Sequence, residues 1–206
     1  MINSIIGILL SYLVGSIPTA YIVAKLVKDL DIRTYGSGNV GATNVFRSVG
    51  RMWGVFVLLI DMLKGLIVVI FIARFFQSDT INFRYIQILY GIAAISGHNW
   101  TIFLKFKGGK GVATTSGVVL GIFPKALLLS LLMFAVIVYI TRYVSVGSMV
   151  SAVAFPLFLW LFYRKCDGFA SFVLFSLVMV AFIFYRHRSN IKRLLSGSEN
   201  KIVFKK

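Results

Sequence analysis

The sequence predicts an all-α integral membrane protein with seven transmembrane helices. Apolar residues make up 59% of the 206-residue chain and charged residues only 14%, with a mean hydropathy of +0.90; a soluble globular protein carries about 25% charged residues. The apolar residues fall in runs long enough to cross hydrocarbon about 30 Å thick as helices. The remaining charges are lopsided, 22 Lys+Arg against 6 Asp+Glu for a net charge of +16. In a membrane protein such cations belong beside lipid headgroups or an anionic substrate, so no nucleic acid partner is expected. This composition excludes an ordinary soluble enzyme, a disordered chain and a disulfide scaffold. The length suits one domain, residues 1–206. The single cysteine, Cys166, permits no intrachain disulfide and no Cys-based metal site.

Residues 1–24 are apolar, with no cation in front and no Ala-x-Ala cleavage site, and read as a retained first span rather than a signal peptide. A polar, glycine-rich loop follows at 25–51. Apolar runs at 52–73, 85–104, 124–141, 146–163 and 168–185 bring the spans to six. Residues 111–123 are short and glycine-rich, and the run alone fits a loop, a re-entrant piece or a short buried helix. The positive-inside rule decides for a crossing. With it, the N-terminus lies outside, the C-terminus is cytoplasmic, and inner segments 25–51, 105–110, 142–145 and 186–206 hold 16 Lys/Arg against 5 in the outer ones. Without it, the tail and its seven cations change sides and the bias is lost. Every glycine-rich or His-containing polar segment then faces the cytoplasm. No internal repeat of the transporter kind is evident, and Trp53, Trp100 and Trp160 fall near span ends, where indoles anchor.

Three segments have the residue types for binding phosphate. In the first, 35–47 (YGSGNVGATNVFR), Gly36, Gly38 and Gly41 match G-x-G-x-x-G, but the strand and βαβ unit of a dinucleotide site are missing. The glycines still allow backbone N–H groups to approach an anion closely. Ser37, Asn39, Thr43 and Asn44 add neutral hydrogen bonders, and Arg47 adds a planar fork suited to phosphate. In the second, 97–116, Lys105, Lys107 and Lys110 surround Gly108 and Gly109, and Gly111 opens the short helix. A helix N-terminus with lysines beside it suits an anion, although the Walker A spacing is absent. His98 reads as a satisfied structural residue. In the third, 185–199, His187, Asn190 and Arg193 recur at i, i+3, i+6 on one face of a helix leaving the membrane. A snorkelling basic helix end explains the arginines and lysines but not the shared face of His and Asn. Ser145 and Ser148 open the sixth span, where hydroxyls cap helices. Asp61 and Lys64, at i, i+3 within the second span, read as a structural ion pair.

The blocks GSGNVGATN with Arg47, GHNWTIFLKFKGGKGVAT and HRSNIKRLLSGSE, in this order between about Gly15 and Glu199, resemble the bacterial acyl-phosphate:glycerol-3-phosphate acyltransferase family. Asp61-x-x-Lys64-Gly65 and YVSVGS look like that family too. Asn99-Trp100 departs from it, since many relatives have a proline close by. The resemblance implies a multi-pass enzyme of the bacterial cytoplasmic (inner) membrane, with its site open to the cytoplasm. Such enzymes transfer an acyl group from acyl phosphate to the sn-1 hydroxyl of glycerol 3-phosphate, giving lysophosphatidic acid and phosphate. This is the first acylation of phospholipid synthesis, and it uses no acyl-CoA, acyl carrier protein, metal or other cofactor. By the same resemblance, Ser37, Gly38, Asn39, Thr43 and Arg47 bind substrate, as do Lys107 or Lys110 and Ser148, while Ser145, His187 and Asn190 are catalytic. The partners implied are the two substrates and membrane lipid; the oligomeric state is not implied.

Acyl phosphate is already an activated mixed anhydride. The chemistry left to the enzyme is positioning and charge neutralisation, worth about 7–11 kcal/mol in good geometry. No nucleophile dyad is present: Phe103 and Lys192, not Asp, stand five residues after His98 and His187. The expectation is therefore direct attack by the glycerol hydroxyl, without an acyl-enzyme. Its proton goes to His187 or to a phosphate oxygen of the acyl phosphate, the phosphate being favoured because an imidazole among cations tends to donate a hydrogen bond. Asn190 orients a hydroxyl or phosphate. An anion transporter would place polar groups deep from both faces, and here only Asp61 and Lys64 lie deep. Metal-dependent lipid transferases need paired Asp motifs that this chain lacks, and the Ser-Arg-x5-His block of membrane lipid phosphatases is missing too. A purely structural membrane protein leaves three polar motifs on one face unexplained.

Overall fold

The computed structural model describes residues 2–78 and 80–202. Its regular elements are helices, and no strand occurs among the described residues. The chain divides into two compact units, 1–122 and 123–206.

The first unit contains α1 (Ile2–Ser16), α2 (Thr19–Lys28), α3 (Ala42–Ser48), α4 (Arg51–Ile67), α5 (Ala73–Phe75), α6 (Phe83–Asn99) and α7 (Val112–Ile122). A π turn, Val68–Ile72, joins α4 to α5, and one 3-10 turn, Ile102–Leu104, follows α6. The first predicted span is broken, because Pro18 has no N–H to continue α1 and takes φ −86°, ψ 66°. The break leaves carbonyls that lipid cannot satisfy. Side chains from other elements meet them: Thr101 Oγ1 donates to Ser16 O at 2.5 Å and Lys64 Nζ to Ile17 O at 3.1 Å. The π turn is held in the same way by Gln87 Nε2, which donates to Val69 O at 2.9 Å.

Small residues let these helices approach closely. A Cβ on Gly15 of α1 would strike the Ala94 carbonyl of α6, and one on Gly117 of α7 would strike the Met62 carbonyl of α4. The third predicted span, 85–104, is helical only to Asn99 and then turns. The ambiguous 111–123 run is an 11-residue helix packed against α4 and α6, about 17 Å long at 1.5 Å per residue. Beyond the Pro18 break, Val23, Ala24, Ile32, Val40, Val45, Val57 and Leu104 form a buried cluster beneath the glycine-rich loop.

The second unit contains α8 (Pro124–Thr141), α9 (Val144–Tyr163), α10 (Phe169–Arg186) and α11 (Arg188–Leu195). Pro124 suits the first turn of α8, where no N–H partner is needed. Phe123 is fully buried, with its ring centroid 5.0 Å from Phe172, 5.2 Å from Tyr163 and 6.4 Å from Phe155. The tail differs from the single helix expected. The α-helix stops at Arg186, His187 sits at φ −97°, ψ 7°, and a separate amphipathic helix begins at Arg188. After α11 the chain turns back, and Ile202 N donates to Arg142 O at 2.8 Å.

Among the described residues, 5 segments are long and apolar enough to cross a membrane: Ile2–Lys28, Arg51–Phe75, Pro124–Thr141, Val144–Tyr163 and Phe169–Arg186. At 17 and 11 residues, α6 and α7 are shorter. Large apolar side chains such as Leu59, Leu132, Leu157 and Leu174 are exposed along the long helices, as lipid contact requires. Trp53, Trp100 and Trp160 lie near helix ends as expected, and Arg164 stacks 4.6 Å over the Trp160 ring.

Candidate active site

In the first unit, the glycine-rich loop is wound around one buried side chain. Asn44, on the first turns of α3, is 1% exposed. Its Nδ2 donates to Ile32 O (3.0 Å), Tyr35 O (2.9 Å) and Asn39 O (3.1 Å), and its Oδ1 accepts from Ser37 N (3.1 Å). Gly36 and Gly38 make the turn at φ +58° and +66°, a conformation that costs other residues more. Ser37, Gly38, Asn39, Thr43 and Arg47 are left half-buried at the loop surface. Asn44 was expected among the ligand hydrogen bonders; it faces inward instead, its amide held by the loop's own backbone and its Oδ1 also accepting from Ser48 Oγ at 3.5 Å. Arg33 is neutralised locally: its guanidinium grips Asp31, Nη2 to Oδ2 at 2.6 Å, and takes that carboxyl down to about 2.

The second segment rests on the end of α6. Gly108 N donates to Asn99 O and Gly109 N to His98 O, each at 3.1 Å. Lys107 is exposed and Lys110 half-buried. The expected pair of Asp61 and Lys64 forms, Nζ to Oδ1 at 2.8 Å, with both residues at least nine-tenths buried. His98 Nδ1 lies 3.8 Å from the same Oδ1. A small pocket is lined by Ser16–Ala20, Val40, Asp61, His98, Thr101, Gly108 and Gly109.

In the second unit, the organising group is Glu199. Asn190 Nδ2 donates to its Oε1 at 2.6 Å, Ser145 Oγ to the same oxygen at 3.0 Å, and Arg193 Nε to Oε2 at 2.7 Å. Burial pushes the Glu199 carboxyl up, but these three donors outweigh it and leave the group below its ordinary value. Asn190 and Arg193 thus do share a helix face, as the spacing implied. His187 belongs to the joint before that helix, and its Nδ1 contacts Ile183 O at 2.8 Å. A carbonyl only accepts, so this contact calls for a hydrogen on Nδ1. Ser148 Oγ donates to Val144 O, one turn back in α9, at 2.9 Å. Among the described residues, no group of three or more His, Cys, Asp or Glu could hold a metal ion.

The sequence reading left Glu199 without a role and cast Asn44 as a ligand group rather than as the inward post of its loop. Glu199 carried one signal, being the only glutamate in the chain and set within a cationic tail. The turn that brings it back to α9 has no periodicity to read.

A family model described as glycerol-3-phosphate acyltransferase matches residues 5–197. The glycerol-3-phosphate acyltransferase of Chlorobium limicola is 41% identical over 223 residues, covering 95% of each chain. That of Chlorobium chlorochromatii is 39% identical over 233 residues, covering 100% of each. A crystal structure of PlsY, an integral membrane glycerol 3-phosphate acyltransferase, in its glycerol 3-phosphate form has a TM-score of 0.85 and 38% identity, covering 97% of this chain and 96% of that one. Its lysophosphatidic acid form scores 0.82 at 37% identity. With sequence and fold agreeing over nearly the whole length, this chain belongs to the integral membrane glycerol-3-phosphate acyltransferase family.

Proposed function

We propose that the protein transfers an acyl group from acyl phosphate to the sn-1 hydroxyl of glycerol 3-phosphate, yielding lysophosphatidic acid and phosphate. The observation that carries this reading is the near-complete structural match to a relative solved in glycerol 3-phosphate and lysophosphatidic acid forms. The family model runs through both compact units, which supports one functional module. The cation bias supports seven crossings, α7 being the short one, in the bacterial inner membrane, with the N-terminus outside and the chemistry on the cytoplasmic side.

In the proposed step, the glycerol hydroxyl oxygen attacks the acyl carbonyl, a C–O ester bond forms, and the C–O bond to phosphate breaks. The hydroxyl proton leaves with the phosphate, or passes to His187, and no acyl-enzyme forms. Ser37, Gly38, Asn39, Thr43 and Arg47 hold phosphate oxygens, and so does Lys107 or Lys110. Ser145, Ser148 and Asn190 orient substrate oxygens. Arg47 supplies a planar, permanently charged fork for a dianion, and an anhydride needs no further activation beyond such positioning.

The test is phosphate release by the purified protein from palmitoyl phosphate plus glycerol 3-phosphate, with palmitoyl-CoA as the control donor. Release with formation of lysophosphatidic acid is expected for palmitoyl phosphate alone. Equal turnover with palmitoyl-CoA would overturn the donor assignment.

A further inference from the structure

We infer that Asp61, Lys64 and His98 form a positioning latch for the loop that carries Lys107 and Lys110. This rests on the reading of those lysines as phosphate ligands. Burying an ion pair costs several kcal/mol per ion before attraction repays it, and such a pair often gives no net stability. A pair that only cancelled its own charge would need no further partners. Here Lys64 has a hydrogen-bonded partner and Asp61 a polar neighbour at contact distance. Lys64 Nζ donates to Ile17 O at the break before α2, and Asp61 Oδ1 faces His98 Nδ1 at 3.8 Å.

His98 passes the constraint to the loop. Its carbonyl accepts from Gly109 N, and its ring lies so close over Gly109 that a Cβ there would collide with Nε2. The same Cβ would also crowd the carbonyl of Val40, the neighbour of Asn39. Asn99 continues the seat, accepting from Gly108 N and packing its side chain against Gly111, which holds φ +79°. One chain of contacts therefore runs from the helix break through Lys64, Asp61 and His98 to Gly109, one residue from Lys110 and two from Lys107. Shifting any link displaces the lysines relative to a bound phosphate.

The test compares Asp61→Asn/Lys64→Met with the wild type and with the triple variant that adds His98→Ala. The double variant strands no buried charge, and its folding is checked by thermal unfolding in detergent. A rise of about tenfold in KM for one of the two phosphate substrates is expected, with kcat per folded enzyme changed less than about threefold. The triple variant adds little, since all three residues act through one path. Trypsin provides a readout independent of activity: cleavage after Lys107 should accelerate about fivefold in the double variant as the loop opens. Wild-type KM values for both substrates together with an unchanged tryptic rate would overturn the latch. A wild-type protein that releases no phosphate would overturn the functional reading instead, and the tryptic rate would still decide the latch.

Discussion

Asn190 and Glu199, nine residues apart, are joined by a 2.6 Å hydrogen bond from Nδ2 to Oε1. The same carboxylate takes Ser145 and Arg193, so one acidic side chain ties the returning tail to α11 and to the start of α9. The three donors hold the Glu199 carboxyl below its ordinary value of 4.5 despite burial. A lowered folded-state value stabilises the fold above the ordinary value, and that stabilisation is lost as pH falls through the lowered one. The midpoint of thermal unfolding in detergent is therefore expected to drop as pH falls below 4.5, with a shallower drop in Glu199→Gln. At neutral pH, Glu199→Ala should cost about 2 kcal/mol and Glu199→Gln about 1, because glutamine still accepts from Asn190 and Ser145. Equal acid sensitivity in wild type and Glu199→Gln would show that another group controls that limb.

The sequence was legible where physics is periodic. The run at 52–73 became Arg51–Phe75, and 124–141 became Pro124–Thr141, because hydrocarbon thickness fixes both length and polarity. Asp61 and Lys64 were legible as a pair from their spacing on a helix. The break at Pro18 was not anticipated, although a proline inside an apolar run is a plain warning. What made it tolerable, Lys64 and Thr101 meeting the released carbonyls, comes from residues far along the chain. Asn44 was misplaced for a related reason: residue type announces hydrogen bonding, but only the loop's path decides whether backbone or ligand receives it.

Because Asn44 spools the glycine-rich loop, its replacement should act on both stability and binding. Asn44→Ala leaves the Ser37 N–H and three carbonyls without this partner, a cost of about 2–3 kcal/mol. Asn44→Asp should be at least as damaging, since a carboxylate cannot donate to those carbonyls. Both variants should raise KM for a phosphate substrate, through the displacement of Ser37 and Asn39. Steady-state kinetics on the folded fraction checks this; unchanged KM in both variants would mean that the loop holds its shape by other means.

Arg47 and His187 separate two routes for the proton. If phosphate carries it away, His187→Ala retains measurable turnover, while Arg47→Ala falls by about 10³-fold or more, as expected for loss of a charged transition-state partner. The relevant measurement is phosphate release across neutral pH. A neutral-range limb present in the wild type and abolished in His187→Ala, with a larger loss than in Arg47→Ala, would assign the proton to the imidazole.

The single cysteine makes the proposed topology directly testable. Cys166 lies in the turn between α9 and α10, partly exposed, on the outer side if the cation bias sets orientation. A membrane-impermeant maleimide should therefore label wild-type protein in intact spheroplasts. In a Cys166→Ser background, Lys192→Cys on the exposed face of α11 should label only after the membrane is opened. An odd number of crossings places α11 on the side opposite the N-terminus, so a cysteine added at Asn3 should label from outside like Cys166. If Asn3→Cys and Lys192→Cys label from the same side, the short helix α7 does not cross.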